Sequence, residues 1–435
     1  VTGVVTGANH KHAADQLIVS ASATSLPTSP RALRKAIFDA INPEQVARSL
    51  PAQALYLLVR DAGVTSSLDL LALADVEQFR TMLDLDLWRG DEVSEESFWE
   101  WLSLVEEADD FSILQRVLKT IDLKLVGMML GTYVQVITYD DGNDEAPGAG
   151  FYTPDRGHTW LHITIQEPDK HFLLARFLAL IFETSRELFY QLLSVPTVAT
   201  RTQLEEEAYQ DRNKRLEAHG VPAVDFAHEI LAALPFAQLS ALIDKNETGI
   251  VIPDVRPVPV LHHTVGSIEP LDSVFRASLS GVEEEYTLLA NGMIVKFGVD
   301  FADRDGVQRV TTQLLGAINI GLQRTLRERT NLDAVELVKL KGLRPFARYG
   351  LTALDALRRT ALRLSEETLK RVDPNSGLFL TIAATREHPP LIPSSLNPDG
   401  SYYSEDGRIQ RDYRAIKSLA EVEQLTAIIK SVDAG

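Results

Sequence analysis

Asn42 precedes Pro43 and Leu50 precedes Pro51, so the chain twice places proline where a helix can begin without losing a hydrogen bond. Each start opens an amphipathic run, with Val46 and Leu50 in the first and Leu55, Leu58 and Val59 in the second. Further helical runs cover residues 68–73, 76–87, 95–105 and 112–138. Connections of a few residues between them imply antiparallel neighbours. The pattern predicts a mainly α fold: a helical-repeat or superhelical N-terminal part with a small β-hairpin, followed by a second helical domain.

A chain of 435 residues exceeds what one hydrophobic core usually serves, which is roughly 250–300 residues. Two main domains are therefore expected. Residues 1–30, rich in Ala, Ser and Thr, read as a flexible segment without the basic start and compact apolar run of a signal peptide. Residues 31–250 form the first helical domain. Pro253, Pro257, Pro259 and Pro270 mark residues 251–272 as a Pro-rich linker. Residues 273–372 read as the second helical domain, and residues 373–435 as an irregular tail with a terminal helix.

Short likenesses among residues 41–50, 73–83 and 112–121 place Gln45, Gln78 and Gln115 at separations of 33 and 37 positions. LPAQAL (residues 50–55) recurs loosely as LPFAQL (residues 234–239). Such spacings suit stacked helix pairs. The helices of residues 31–105, with LP or NP at their starts and acids along their faces, resemble the superhelical N-terminal domain of MgtE-type magnesium transporters. That resemblance implies a regulatory or docking module and carries no transport function here. The longest uncharged apolar run, residues 125–139, has fifteen residues, short of the roughly 18–20 that span a bilayer. Gly127 and Gly131 within it predict close helix contact.

Absence of cysteine excludes disulfides, thiolate nucleophiles and thiolate metal sites, and makes the cytoplasm the expected compartment. A formal net charge of -18 repels nucleic acid and anionic membrane. The charge is uneven. Residues 84–110 carry eleven acids against one base, Arg89, whereas residues 308–371 carry thirteen Lys and Arg against six acids. In the second region Lys339, Lys341, Arg344, Arg348, Arg358, Arg359 and Arg363 make a candidate basic patch for docking on an acidic protein surface.

Catalytic signatures are missing. His158 and His162 share a strand face with backbones roughly 13 Å apart, too far for one ion. The adjacent His262 and His263 diverge in extended chain. GAINIG (residues 316–321) lacks the lysine and hydroxyl of a phosphate loop and predicts tight helix packing. The acids of residues 84–96 lack the ligand order of a calcium loop. No catalytic, cofactor or metal residue is assigned.

A polar loop at residues 140–150 leads into the hairpin of residues 150–165. The charged stretch of residues 204–222, LEEEAYQDRNKRLEAHGVP, reads as a helix on which Glu205, Tyr209, Arg212 and Leu216 share a face. Asp211 precedes Arg215 by four residues, and Gly220 with Pro222 ends the helix. The hairpin GFYTPDRGHTWLHI and this helix together resemble a bacterial domain-of-unknown-function family with a YxTPDG-type hairpin and an EEAYRxRxxRLxxxGFP-like helix. Gln210, Asp211 and Val221 depart from that pattern. The resemblance implies a helical fold and no activity, and directs attention to Glu205, Glu206, Tyr209, Arg212, Arg215 and Gly220 as an interaction or structural cluster.

The leading functional expectation is a non-enzymatic interaction or scaffold protein that binds another protein and needs no cofactor. The alternatives are an enzyme with a polar cleft around Glu205, Tyr209 and Arg212, and a divalent-metal-responsive regulator. Oligomeric state is left open.

Overall fold

The computed structural model describes residues 30–107, 119–120, 122–245, 268–404 and 409–434. Nearly all of the N-terminal segment, most of the Pro-rich linker, and Gln115, His262 and His263 lie outside the described residues. The described residues are mainly helical, and their strands form two-stranded antiparallel sheets. No helix among them is long and apolar enough to cross a membrane. The chain divides into two compact units, Val1–Leu216 and Glu217–Gly435.

In the first unit the proline starts work as the sequence predicts. Pro43 sits in the first turn of helix Pro43–Ser49, and the Asn42 side chain accepts from the Gln45 amide at 3.1 Å. Pro51 occupies the cap position of helix Ala52–Ala62. Asp75 and Gln78 form a capping box at the head of helix Val76–Asp86. Gln78 also donates to the carbonyls of Ala47 at 3.0 Å and Leu50 at 2.7 Å, closing the end of helix Pro43–Ser49. Its sequence counterpart Gln45 is exposed, so the two glutamines have different jobs. Leu33, Ile37, Leu55, Val59, Phe79 and Met82 fill the core between these helices. Asp86 is fully buried there, which is tolerable because it accepts from Tyr56 Oη at 2.7 Å and Trp101 Nε1 at 2.6 Å, with Arg60 at 3.3 Å.

One predicted helix is divided. Asp122 caps helix Leu123–Tyr133, and the chain then becomes strand at Val134–Thr138. Four of these five residues, Val134, Val136, Ile137 and Thr138, are β-branched, which favours strand once the helical packing face has run out. Val134–Thr138 pairs antiparallel with Thr159–Ile163, from Val134 opposite Ile163 to Thr138 opposite Thr159. The N-terminal arm of the hairpin expected at residues 150–165 contributes a single bridge, Tyr152 to Leu161. Asp155 fixes the turn, accepting from the Thr159 amide at 2.7 Å and from Tyr190 Oη at 2.9 Å. The Gly127 and Gly131 reading holds: a methyl group on either would come within 2.6 Å of Val195 or 2.7 Å of Pro196, on helix Arg186–Val198.

Two helices grouped by sequence with the first domain pack inside the second unit. Val224–Ile230 lies on Val282–Lys296, and Phe236–Asp244 on Arg344–Leu362. The long helix Arg304–Glu328 runs through this unit and carries GAINIG. A methyl on Gly321 would strike the Phe346 carbonyl, and one on Gly350 the Ala317 carbonyl, so Arg304–Glu328 and Arg344–Leu362 cross backbone to backbone. Ala317, Ile320, Leu354, Leu357, Leu425 and Ile429 make the core around that crossing. The tail is more ordered than its turn residues suggest. Ser376 caps helix Gly377–Arg386, Leu391–Pro393 pairs with Tyr413–Ala415, and helix Leu419–Ala434 follows. Turn-forming residues on both flanks hid the apolar set Leu380, Ile382 and Ala384, which is buried.

Candidate functional site

The charged stretch forms helix Arg201–Glu217, and its Glu205, Tyr209, Arg212, Leu216 face lies on the short hairpin of Trp88–Arg89 and Glu92–Val93. Glu205 accepts from the Val93 amide at 3.4 Å. The Tyr209 ring meets Trp88 at 5.5 Å between centroids. Arg212 stacks its guanidinium 5.6 Å from the Trp88 ring and 5.9 Å from Tyr209, while its Nε donates to the Asp84 carbonyl at 2.7 Å. Leu216 is buried beneath. Burial lowers the Arg212 pKa from its ordinary value, against the pull of Asp84.

Arg215 is the centre of the arrangement. Its Nε and one terminal nitrogen grip both oxygens of Asp84 at 2.7 Å, and the same terminal nitrogen reaches Asp122 at 3.1 Å. Burial opposes its charge, but Asp84 and Asp122 prevail and hold it above the usual guanidinium range. Burial pushes the Asp84 carboxyl up, with Arg215 working in the opposite direction. Asp122 serves twice, because its other oxygen caps the amides of Lys124 at 3.0 Å and Leu125 at 3.2 Å. Lys124 pairs with Asp211 at 2.8 Å and Glu207 at 3.1 Å. That lysine is the main reason the Asp211 carboxyl lies below its ordinary value.

The sequence spacing paired Asp211 with Arg215 along the helix. The structure puts the shortest ion pair of each on another element: Arg215 turns to Asp84, which is nearly buried, and Asp211 to Lys124, a solvent-exposed pair, with Lys214 at 3.7 Å on its own helix. Glu206 is exposed and accepts from Gln210 at 2.7 Å, outside the cluster. Gly220 takes the left-handed stop, φ 78°, and in the second unit its carbonyl accepts from Asn291 at 3.0 Å. His162 stacks on Phe151 at 5.2 Å.

Asp84, Trp88, Asp122 and Lys124 complete the site and were not singled out by sequence. Asp122 before Leu-Lys-Leu-Val carries a legible cap signal. Nothing local announces Asp84 as the partner of a residue 131 positions away. The cluster borders an apolar cleft of about 80 Å³ walled by Phe79, Phe98, Trp101 and Phe177. Among the described residues no three His, Asp or Glu side chains converge as a metal site would.

The basic patch does not form one cationic face. Lys339 and Arg363 are exposed, but Lys341 is buried and donates to the Lys245 carbonyl. Arg348 donates to the Ala232 carbonyl at 2.8 Å, and Arg358 to Arg386 at 3.0 Å. Arg386 returns the contact to the Ala361 carbonyl at 3.1 Å, so two helices cap each other's C-terminal ends with cations. Arg359 pairs with Asp355 at 3.0 Å, and the Arg344 amide donates to Glu285 at 3.1 Å.

Comparison with protein-family models matches residues 14–434 to one described as "Family of unknown function (DUF6178)". No curated protein and no solved structure matches. The resemblance to an uncharacterised family is thus borne out, while that to the MgtE domain gains no support.

Proposed function

The chain belongs to DUF6178, a family of unknown function, and from its geometry we propose a non-enzymatic protein-interaction role whose docking face is the acidic rim of the first unit. One observation carries the reading. Asp84 and Asp86 are buried and paired inside, whereas Asp91, Glu92, Glu95 and Glu96 stand exposed on and beside the Trp88–Val93 hairpin, next to exposed Glu206 and Glu207. Arg201, 3.6 Å from Glu95, and Lys124, 3.1 Å from Glu207, offset two of these charges, and Arg89 adds one base on the hairpin itself. An excess of acids on a hairpin held in place by Glu205, Tyr209 and Arg212 suits a basic protein surface, with long-range steering that weakens as salt rises. An enzyme centred on Glu205, Tyr209 and Arg212 has less support, since all three groups are engaged by the hairpin.

The test compares bound proteins for the wild type and for Asp91→Lys/Glu92→Lys/Glu96→Lys, with Glu283→Lys/Glu366→Lys/Glu367→Lys in the second unit as an equal charge change elsewhere. A basic partner held by the wild type and the control, released by salt and lost by the hairpin variant, is the expected result. Equal retention by both variants overturns the assignment of the face. A magnesium or calcium titration that raises the melting temperature would favour the metal-responsive reading instead.

A further inference from the structure

The second unit contains a cleft of about 180 Å³ that is separate from the acidic rim. Its walls are apolar, with Leu231, Phe297, Leu351, Pro389 and Pro390 among them. Polar groups reach it from three elements: Lys296 at the end of helix Val282–Lys296, Asp355 on Arg344–Leu362, and His388 just beyond Gly377–Arg386. A cavity of about 150 Å³ with aliphatic and aromatic walls already admits benzene, so the cleft has room for a compact ring or branched chain.

Charge selects the ligand. Lys296 is half-buried and anchored by one donation to the Leu231 carbonyl at 3.2 Å. Asp355 acts on both Lys296 and His388 and is itself paired with Arg359 at 3.0 Å, so Lys296, Arg358 and Arg359 stand against this one carboxylate. Arg358 lies close enough to act on His388, with its Nε on the Arg386 carbonyl. His388 stands at the rim with its ring 5.1 Å from Phe297. Cationic potential therefore exceeds anionic potential here, in a chain whose net charge is -18.

We infer that this cleft binds a small organic monoanion, a carboxylate on an apolar body, with Lys296 contacting the carboxylate, His388 at the rim and the Leu231, Phe297 and Leu351 walls enclosing the body. Burial lowers the pKa of both Lys296 and His388, with Arg358 adding to the effect at His388, and a bound anion would relieve both.

Benzoate is the probe, with benzyl alcohol as its neutral counterpart. Benzoate should raise the melting temperature saturably and shift the His388 ring signals in NMR, while benzyl alcohol at equal concentration does neither. Lys296→Met should weaken benzoate about tenfold or more, the scale of one charge-assisted hydrogen bond, and Lys370→Met, an exposed change elsewhere in the unit, should bind as the wild type does. Should Lys296→Met not fold, the benzoate and benzyl alcohol comparison at His388 decides alone. No saturable benzoate effect in the wild type, an equal response to benzyl alcohol, or unweakened binding by folded Lys296→Met overturns the inference.

Discussion

Arg215 grips Asp84 through two hydrogen bonds of 2.7 Å, joining residues 131 apart in the chain. Asp84 keeps only 7% of its side chain exposed, so removing its partner strands a buried charge. Breaking such a pair costs about 3–5 kcal/mol when both members are buried. The 30% exposure of Arg215 puts Arg215→Met at the low end, near 3 kcal/mol. In urea unfolding, Asp84→Leu/Arg215→Met should recover part of that loss, because it removes the stranded Asp84 charge, while Asp122 loses its cation but keeps the Lys124 and Leu125 amides. A midpoint for Arg215→Met equal to the wild type would mean that the pair is not a clamp.

Gly321 and Gly350 permit the backbone crossing at the core of the second unit, where added methyl groups would meet carbonyl oxygens on the facing helix. Gly321→Ala or Gly350→Ala should cost about 1–3 kcal/mol by overpacking. Both substitutions push the same two helices apart. The double variant should therefore lose less than the sum of the singles, and strict additivity in chemical denaturation would show that the crossing does not move as a unit.

Asp155 gives the hairpin of the first unit a pH dependence of known sign. Partial burial raises its carboxyl pKa, but the Thr159 amide, the Tyr190 hydroxyl and Thr153 outweigh this, and the net shift is downward. A depressed folded pKa contributes stability above the unfolded value, near 4, which is lost as pH falls through the folded one. Asp155→Asn should therefore lower the melting temperature at pH 7, and the gap to wild type should narrow below about pH 4. A gap that widens on acidification contradicts this assignment.

How much of this was legible follows from the range of each interaction. Helix starts at Pro43 and Pro51, the stop at Gly220 and the packing glycines Gly127 and Gly131 are local signals, and each appears where its spacing put it. The shared face of Glu205, Tyr209, Arg212 and Leu216 follows from helical periodicity alone. Its target does not, because Trp88 and Asp84 reach it through tertiary packing. Local pattern failed at Val134–Thr138, where strand propensity lay hidden at the end of an apolar helix. It failed again for the cationic stripe, because a one-dimensional count cannot tell an arginine facing solvent from one bonded to the end of a neighbouring helix.

Glu285 offers the sharpest test in the second unit, since it combines burial, capping and a glycine. Its oxygens accept from the amides of Leu343 at 2.7 Å and Arg344 at 3.1 Å, placing a carboxylate at the head of helix Arg344–Leu362. Burial still raises its pKa overall, against the lowering by those two amides and Arg344. A carboxyl raised in the folded state favours the protonated fold, so its contribution falls as pH rises from the unfolded value, near 4.3, through the folded one. Glu285→Gln should remove that part of the pH dependence while keeping one acceptor for an amide. Glu285→Ala leaves both amides without their acceptor and should cost about 1–3 kcal/mol. Gly342 must stay glycine for two reasons: its φ is 71°, and a methyl group there would stand 2.6 Å from either carboxylate oxygen. Gly342→Ala should therefore match or exceed the loss in Glu285→Ala, and combining the two should cost less than their sum, because the clash disappears with the carboxylate. Additive losses in urea unfolding would show that Gly342 serves backbone geometry alone.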